Sequence, residues 1–162
     1  MRWIHHLLLD DWHARRAFPP AVLAAIERCT AHSERRHRGE LRFVVEGGLP
    51  LGVLLARQGS RQRALELFGR LGVWDTEDNA GVLVYVLLAD RRVEIVADRG
   101  IDAKVGHTAW ETICGSMQQA FAAGAFEQGA VLGLEAISDL LALHFPPRGD
   151  NPNELPDAPV ML

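Results

Sequence analysis

Apolar and polar positions alternate along this chain with two different periods, and the change of period marks out its elements. Val82 to Leu88, VLVYVLL, is an unbroken apolar run rich in β-branched and aromatic residues. Its strand-like length and lack of alternation predict a central strand covered on both faces. Asp90 and Arg91 interrupt it as a turn. Val93, Ile95 and Ala97 then alternate with Glu94 and Val96, a second strand with a wetter face, so the pair reads as a β-hairpin. Upstream, Leu41, Phe43 and Val45 alternate with Arg42 and Val44, and Gly47–Gly48 closes the segment. This predicts a strand over Glu40 to Val45.

The remaining segments follow helical spacing. Trp3, Leu7, Leu8 and Trp12 share a stripe over residues 3 to 16. Pro19 and Pro20 suit the first turn of a helix reaching His37, with Val22, Ala25, Ile26 and Cys29 inward and Gly39 as its C′ residue. Pro50 to Arg57 predicts a short helix. Ser60 is a candidate N-cap for Arg61 to Leu71, with Ala64, Leu65, Leu67, Phe68 and Leu71 on the core face and Gly72 as the stop. Thr108 and Glu111 have capping-box spacing ahead of the stripe Trp110, Ile113, Cys114, Met117 and Phe121, which Gly124 ends. A last helix over Phe126 to His144 points Leu132, Ile137, Leu140, Leu141 and Phe145 inward before Pro146 and Pro147.

The order is α-α-β-α-β-β-α-α. About thirty residues, partly helical, join the first strand to the second, which implies a right-handed parallel crossover. The third strand returns antiparallel. The expected architecture is α/β: a three-layer α/β/α sandwich with a small mixed sheet of three or four strands and helices on both faces. Residues 1–147 form one domain, and the Pro-rich polar tail 148–162 is expected to lie along its surface.

Composition narrows the function classes. The 162 residues are 48% hydrophobic and 23% charged, with net charge −4, which offers no general basic field to nucleic acid. Cys29 and Cys114 both sit in apolar helical patterns and read as buried free thiols. No signal peptide or membrane-spanning run is visible, so a cytoplasmic protein without membrane insertion is expected. No GxSxG elbow, P-loop, GxGxxG, CxxC or HExxH occurs. His5 with His6, and His32 with His37, lack the spacing that would aim both rings at one ion.

Candidate chemistry gathers at one edge of the predicted sheet. Glu40 starts the first strand, Asp75 and Asp78 precede the second, and Asp98 and Asp102 follow the third. Converging carboxylates with backbone carbonyls would suit Ca²⁺ or Mg²⁺, which take hard oxygen ligands. A two-residue turn at Asp90–Arg91 pairs Asp98 near Leu83, leaving Asp78 roughly 17 Å further along a straight strand. The groups meet only if the loops at Asn79–Gly81 and Arg99–Gly100 fold back. The alternative is a rim of solvated carboxylates, with Asp98 bonding loop amides.

The segments FPPAVLAAIERCTAHSERRHRGELRFVVE, VWDTEDNAGVLVYVLLADRRVEIVADRGI, Ala109–Trp110, MQQAFAAGAFEQGAVLGLEAISDLLALHFP and NELPD, taken in order, resemble the TPM-domain family, also called thylakoid-lumen acid-phosphatase-like. The chain is most similar to that family's short bacterial, membrane-free branch. The resemblance implies an α/β/α sandwich, divalent-cation binding and, from a plant chloroplast branch, acid phosphatase activity. It carries over Asp98 of ADRGI first, then Asp75, Thr76 and Asn79, and Glu40. Ala80 stands where the family often has asparagine, and Ala97 where it commonly has glycine. The expected role is a divalent-cation-binding accessory domain acting through a protein partner that is membrane-associated in one version. The alternatives are a metal-assisted phosphatase and an interaction module without an ion.

Overall fold

In a computed structural model that describes residues 11–162, four strands form one sheet in the order β3-β2-β1-β4. The strands are β1 (Glu40–Glu46), β2 (Gly81–Leu87), β3 (Arg92–Ala97) and β4 (Val160–Met161). β1 runs parallel to β2 and to β4, and β2 and β3 form the antiparallel hairpin. Among the described residues, seven helices surround them: α1 (Asp11–Ala17), α2 (Pro20–Ser33), α3 (Leu51–Leu55), α4 (Ser60–Arg70), α5 (Arg99–Val105), α6 (His107–Ala122) and α7 (Phe126–His144). The expected mixed α/β sandwich is the observed fold. The amphipathic stripe predicted through Trp3, Leu7 and Leu8 lies outside the described residues; its last member, Trp12 of α1, is 58% exposed and not turned into the core.

The pleat divides the sheet's side chains into two cores. Leu41, Phe43, Val45, Val82, Val84, Val86, Val93 and Ile95 pack with α2, α6 and α7. Val44, Leu83, Tyr85, Leu87 and Val96 face the other way, onto Leu54 of α3 and Ala64 and Leu67 of α4. The run VLVYVLL is apolar throughout because β2 is central and meets a core on each face.

Several local expectations change. β1 is buried at every position, its polar residues included. Glu40, Arg42 and Glu46 share the face that the C-terminal tail and α4 cover. The tail does not simply lie on the surface: Leu155 and Val160 join the second core, and Val160–Met161 pairs with Val44–Val45 as β4. α2 stops at Ser33, four residues short of the predicted end, so Gly39 is not its C′ residue. Gly72 and Gly124, at φ 68° and 79°, do end α4 and α6 in the left-handed conformation. The N-cap of α4 is Gly59, while the Ser60 hydroxyl donates to Glu94 at 2.5 Å. α5 is an additional helix ahead of α6, and Gly106, not Thr108, stands at the N-cap of α6. Leu65 and Leu132, assigned to core faces, are half exposed. Cys29 and Cys114 are free thiols, partly rather than fully buried. No helix among the described residues is long and apolar enough to cross a membrane.

Candidate functional site

The loops at the start of β2 and the end of β3 do fold back on each other. The hairpin turn spans four residues, Leu88 to Arg91, with Arg91 at φ 52°. The pairing is therefore two residues off the register of a two-residue turn. Asp98 donates its N–H to the Gly81 carbonyl at 2.8 Å instead of standing opposite Leu83. Gly100 then donates to the Asn79 carbonyl at 3.0 Å. A Cβ on Gly100 would stand 2.5 Å from the Asn79 oxygen and 2.7 Å from the Asp78 oxygen, so only glycine admits this approach. On the β2 side, the Thr76 hydroxyl accepts the Ala80 N–H at 3.2 Å and holds the Thr76–Asn79 turn closed.

Asp98 sits at the N-cap of α5. One of its oxygens, Oδ1, accepts the Arg99 N–H at 2.7 Å. The Gly100 N–H, a usual target for a capping carboxylate, is already held by Asn79. Oδ2 is buried and has no hydrogen-bond partner.

The other four predicted ligands are committed elsewhere or stand apart. Asp78 pairs with Arg38 at 2.6 Å, and Arg38 also donates to the Pro146 carbonyl at 2.9 Å. This arginine thus ties the loop before β2 to the end of α7. Glu40, 1% exposed, accepts the Glu154 and Leu155 N–H groups, both at 3.2 Å. Asp102 is exposed and accepts the Trp110 indole N–H at 3.0 Å. Asp75 is exposed. Among the described residues, no group of three or more His, Cys, Asp or Glu side chains is placed to hold a metal ion. The five-carboxylate constellation is not assembled, because arginine and tail amides claim two of its members.

Two buried polar clusters escaped the sequence reading. In the first, Glu34 accepts the Leu41 N–H at 3.1 Å and shares a hydrogen bond with Asp157 of the tail. Two carboxyl groups can share one only if one of them carries a proton. Burial, helped by the neighbouring charge of Glu40, raises the Glu34 pKa to about 9. Burial also raises Glu40 to about 7, against the lowering effect of its two tail amides. Nearby, the fully buried His37 is held neutral, its pKa lowered by burial to about 4. In the second cluster, Arg63 of α4 grips Glu46 at 2.7 and 3.1 Å, and the Tyr85 hydroxyl donates to the same carboxylate at 2.5 Å. Hydrogen bonding to Glu46 raises the Arg63 pKa, and burial holds the Tyr85 phenol protonated. The one sequence signal was the alternation of Glu40, Arg42 and Glu46 on a single strand face, a pattern that ordinarily means solvent.

A family profile described as the TPM domain matches residues 15–140. The chain belongs to the TPM-domain family. The matched span takes in the sheet's first three strands and stops within α7. Among solved structures, this TPM domain is similar to the BA42 protein from the psychrophilic bacterium Bizionia argentinensis. That comparison gives 30% identity, covers 88% of this chain and 93% of that one, and has a TM-score of 0.75. The N-terminal domain of a protein from P. gingivalis shares the fold, with 20% identity over 76% of each chain and a TM-score of 0.58. No curated protein matches. In this TPM domain Ala80 is fully buried, its N–H held by Thr76 and its carbonyl accepting the Glu40 N–H at 3.3 Å. The position that often carries asparagine in the family is therefore closed in by local bonds.

Proposed function

We propose that this TPM domain is a non-catalytic accessory module that takes one divalent cation, Ca²⁺ or Mg²⁺, at the Asp98 edge and acts through a protein partner. The supporting observation is the buried, unpartnered Oδ2 of Asp98. A buried carboxylate oxygen without a donor carries a desolvation penalty that a cation would relieve. The Asp78 and Asn79 carbonyls converge on Gly100, two residues away in sequence, so hard backbone oxygens belong to the same corner. The ligand set would be Asp98, loop carbonyls and water. So few fixed charges suit weak binding, roughly 10⁻⁴–10⁻³ M.

Thermal unfolding with and without calcium tests the reading. A cation that binds only the folded state adds about 1.4 kcal/mol at ten times its dissociation constant. About 10 mM CaCl₂ should raise the wild-type Tm by several degrees and leave Asp98→Asn unmoved. The amide side chain in that variant keeps an oxygen for the Arg99 N–H, so the protein should still fold. Asp78→Asn should lower stability while retaining the calcium shift, because that carboxylate serves Arg38. An unmoved wild type, or equal shifts in wild type and Asp98→Asn, would leave an interaction module without an ion as the better account.

A further inference from the structure

β3 is the outer strand on its side of the sheet, and its free edge is set in a groove. The Asp98–Gly81 bond fixes which backbone groups face which way. Arg92, Glu94, Val96 and Asp98 form the hydrogen-bonded pairs with β2, so the N–H and C=O groups of Val93, Ile95 and Ala97 point outward. Side chains hold some of these. The Val93 N–H donates to the Gln118 side-chain oxygen at 3.0 Å, and the Ile95 carbonyl accepts from the Arg61 guanidinium. Among the described residues, the Val93 carbonyl and both backbone groups of Ala97 have no hydrogen-bond partner.

The groove along this edge has a volume of about 470 Å³, within the range of preformed binding pockets. Trp110, Cys114, Gly115 and Gln118 of α6 form one wall, and Arg61 of α4 reaches in from the other. Its ends are oppositely charged. Arg92 stands at one end, and Asp102 and Glu111, the latter 3.0 Å from His107, stand at the other. Between them Arg61 and Glu94 pair with each other at 3.9 Å.

We propose that this groove binds an extended segment of a partner protein by β-strand addition to β3. The segment carries an acidic side chain opposite Arg92 and a basic one opposite Asp102 and Glu111. The Val93 carbonyl and the Ala97 N–H and carbonyl supply affinity, Arg61 and Gln118 stay on the groups they hold, and the two charged ends set the register. At about 3.3 Å per residue, the length of β3 separates those two side chains by about five or six positions. The protein's own tail is committed to the opposite edge, where β4 lies against β1. A second copy does not fit. Val93 and Ile95 are only 4% exposed, and two recessed strands cannot approach to about 4.8 Å without their helical walls colliding. A single extended segment can enter. This surface is independent of the Asp98 cation.

The test is selection of phage-displayed random octapeptides on the wild-type chain in EDTA, followed by binding of the enriched peptides as synthetic, end-blocked molecules. Enrichment of an acidic and a basic residue five or six positions apart is expected. Two variants place the site. Gly115→Trp fills the groove, since nothing lies within 4 Å of a Cβ there, and should abolish binding. Arg92→Glu should weaken binding at least about tenfold, with rescue by peptides whose acidic residue is changed to lysine. The Ala97 amide, free in the unbound protein, should gain hydrogen-exchange protection in the complex. A peptide bound as a helix, whose carbonyls are bonded within the helix, would not pair with that amide. A selection that enriches nothing, peptides that bind wild type and Gly115→Trp equally, or an Ala97 amide that still exchanges freely in the complex would each overturn the proposal. Because calcium is absent throughout, failure here and failure of the cation reading are separate results.

Discussion

Arg63 and Glu46 meet across the interface between α4 and β1 in a two-bond pair, 2.7 and 3.1 Å, with side chains only 7% and 2% exposed. Removing one partner leaves the other charge buried and unpaired. Arg63→Ala should therefore cost about 3–5 kcal/mol, whereas replacing both members with apolar residues should cost less, the remaining loss being the Tyr85 hydroxyl that then lacks its acceptor. Urea unfolding of Arg63→Ala and of Arg63→Met/Glu46→Leu checks this. Equal losses in the two would show that packing of α4, not charge, dominates the site.

Stability should fall with alkaline pH through the tail. Glu34 and Glu40 have folded pKa values raised to about 9 and about 7, above the ordinary carboxylate value. Their stabilising contribution is fully present below the unfolded pKa and is lost as pH rises through the folded values. His37 acts the other way: its folded pKa, lowered to about 4, removes stability as pH falls below its ordinary value. Tm should thus peak on the mildly acidic side of neutrality and decline toward about pH 9. Glu34→Gln should flatten the alkaline limb. Hydrogen exchange at the Glu154 and Leu155 amides, measured against pH, should report loosening there before global unfolding.

Two glycines should respond in opposite directions to alanine. A Cβ at Gly81 would stand 2.0 Å from the Val73 carbonyl oxygen, so backbone must move. Gly81→Ala is expected to destabilise by about 1–3 kcal/mol. Gly115, inside α6 with open space around it, should gain about 0.5–1 kcal/mol as alanine. Chemical unfolding of the two variants side by side gives both signs.

Cys114 should be a slow thiol despite lining a groove. Burial first, then the charge of Glu94, raises its pKa to about 11. Its thiolate fraction near neutral pH is about two orders of magnitude below that of an ordinary cysteine. Labelling by a disulfide reagent should be slower by a similar factor and should accelerate as pH rises. Labelling as fast as glutathione would place the thiol in a more solvated setting.

Elements whose environment is uniform along their length were legible in the residues. VLVYVLL identifies the central strand because it faces a core on both sides, and the stripe from Trp110 to Phe121 identifies α6 because one face meets the sheet. The position of Asp98 at the strand exit was legible too, since ADRGI ends an alternating run. Its register was not. A four-residue turn with Arg91 in the left-handed region shifts every pair of the hairpin by two relative to a two-residue turn, and no periodicity distinguishes them. Arg91 lacks the glycine or asparagine that would have signalled the change.

The sequence alone determined the strands β1, β2 and β3 and the helices α2, α4, α6 and α7, though not the short α5 or β4, and that the acidic residues gather at one end of the sheet. These follow from local spacing, which acts over a few residues. Only the tertiary structure decided which carboxylates stay available. Arg38 takes Asp78, the amides of Glu154 and Leu155 take Glu40, and Trp110 takes Asp102, leaving the Asp98 Oδ2 without a donor. Those partners come from 8 to 115 residues away in the chain. A charged residue on a strand looks the same whether water or a distant arginine or amide will face it, and only the folded chain brings that partner within hydrogen-bond reach.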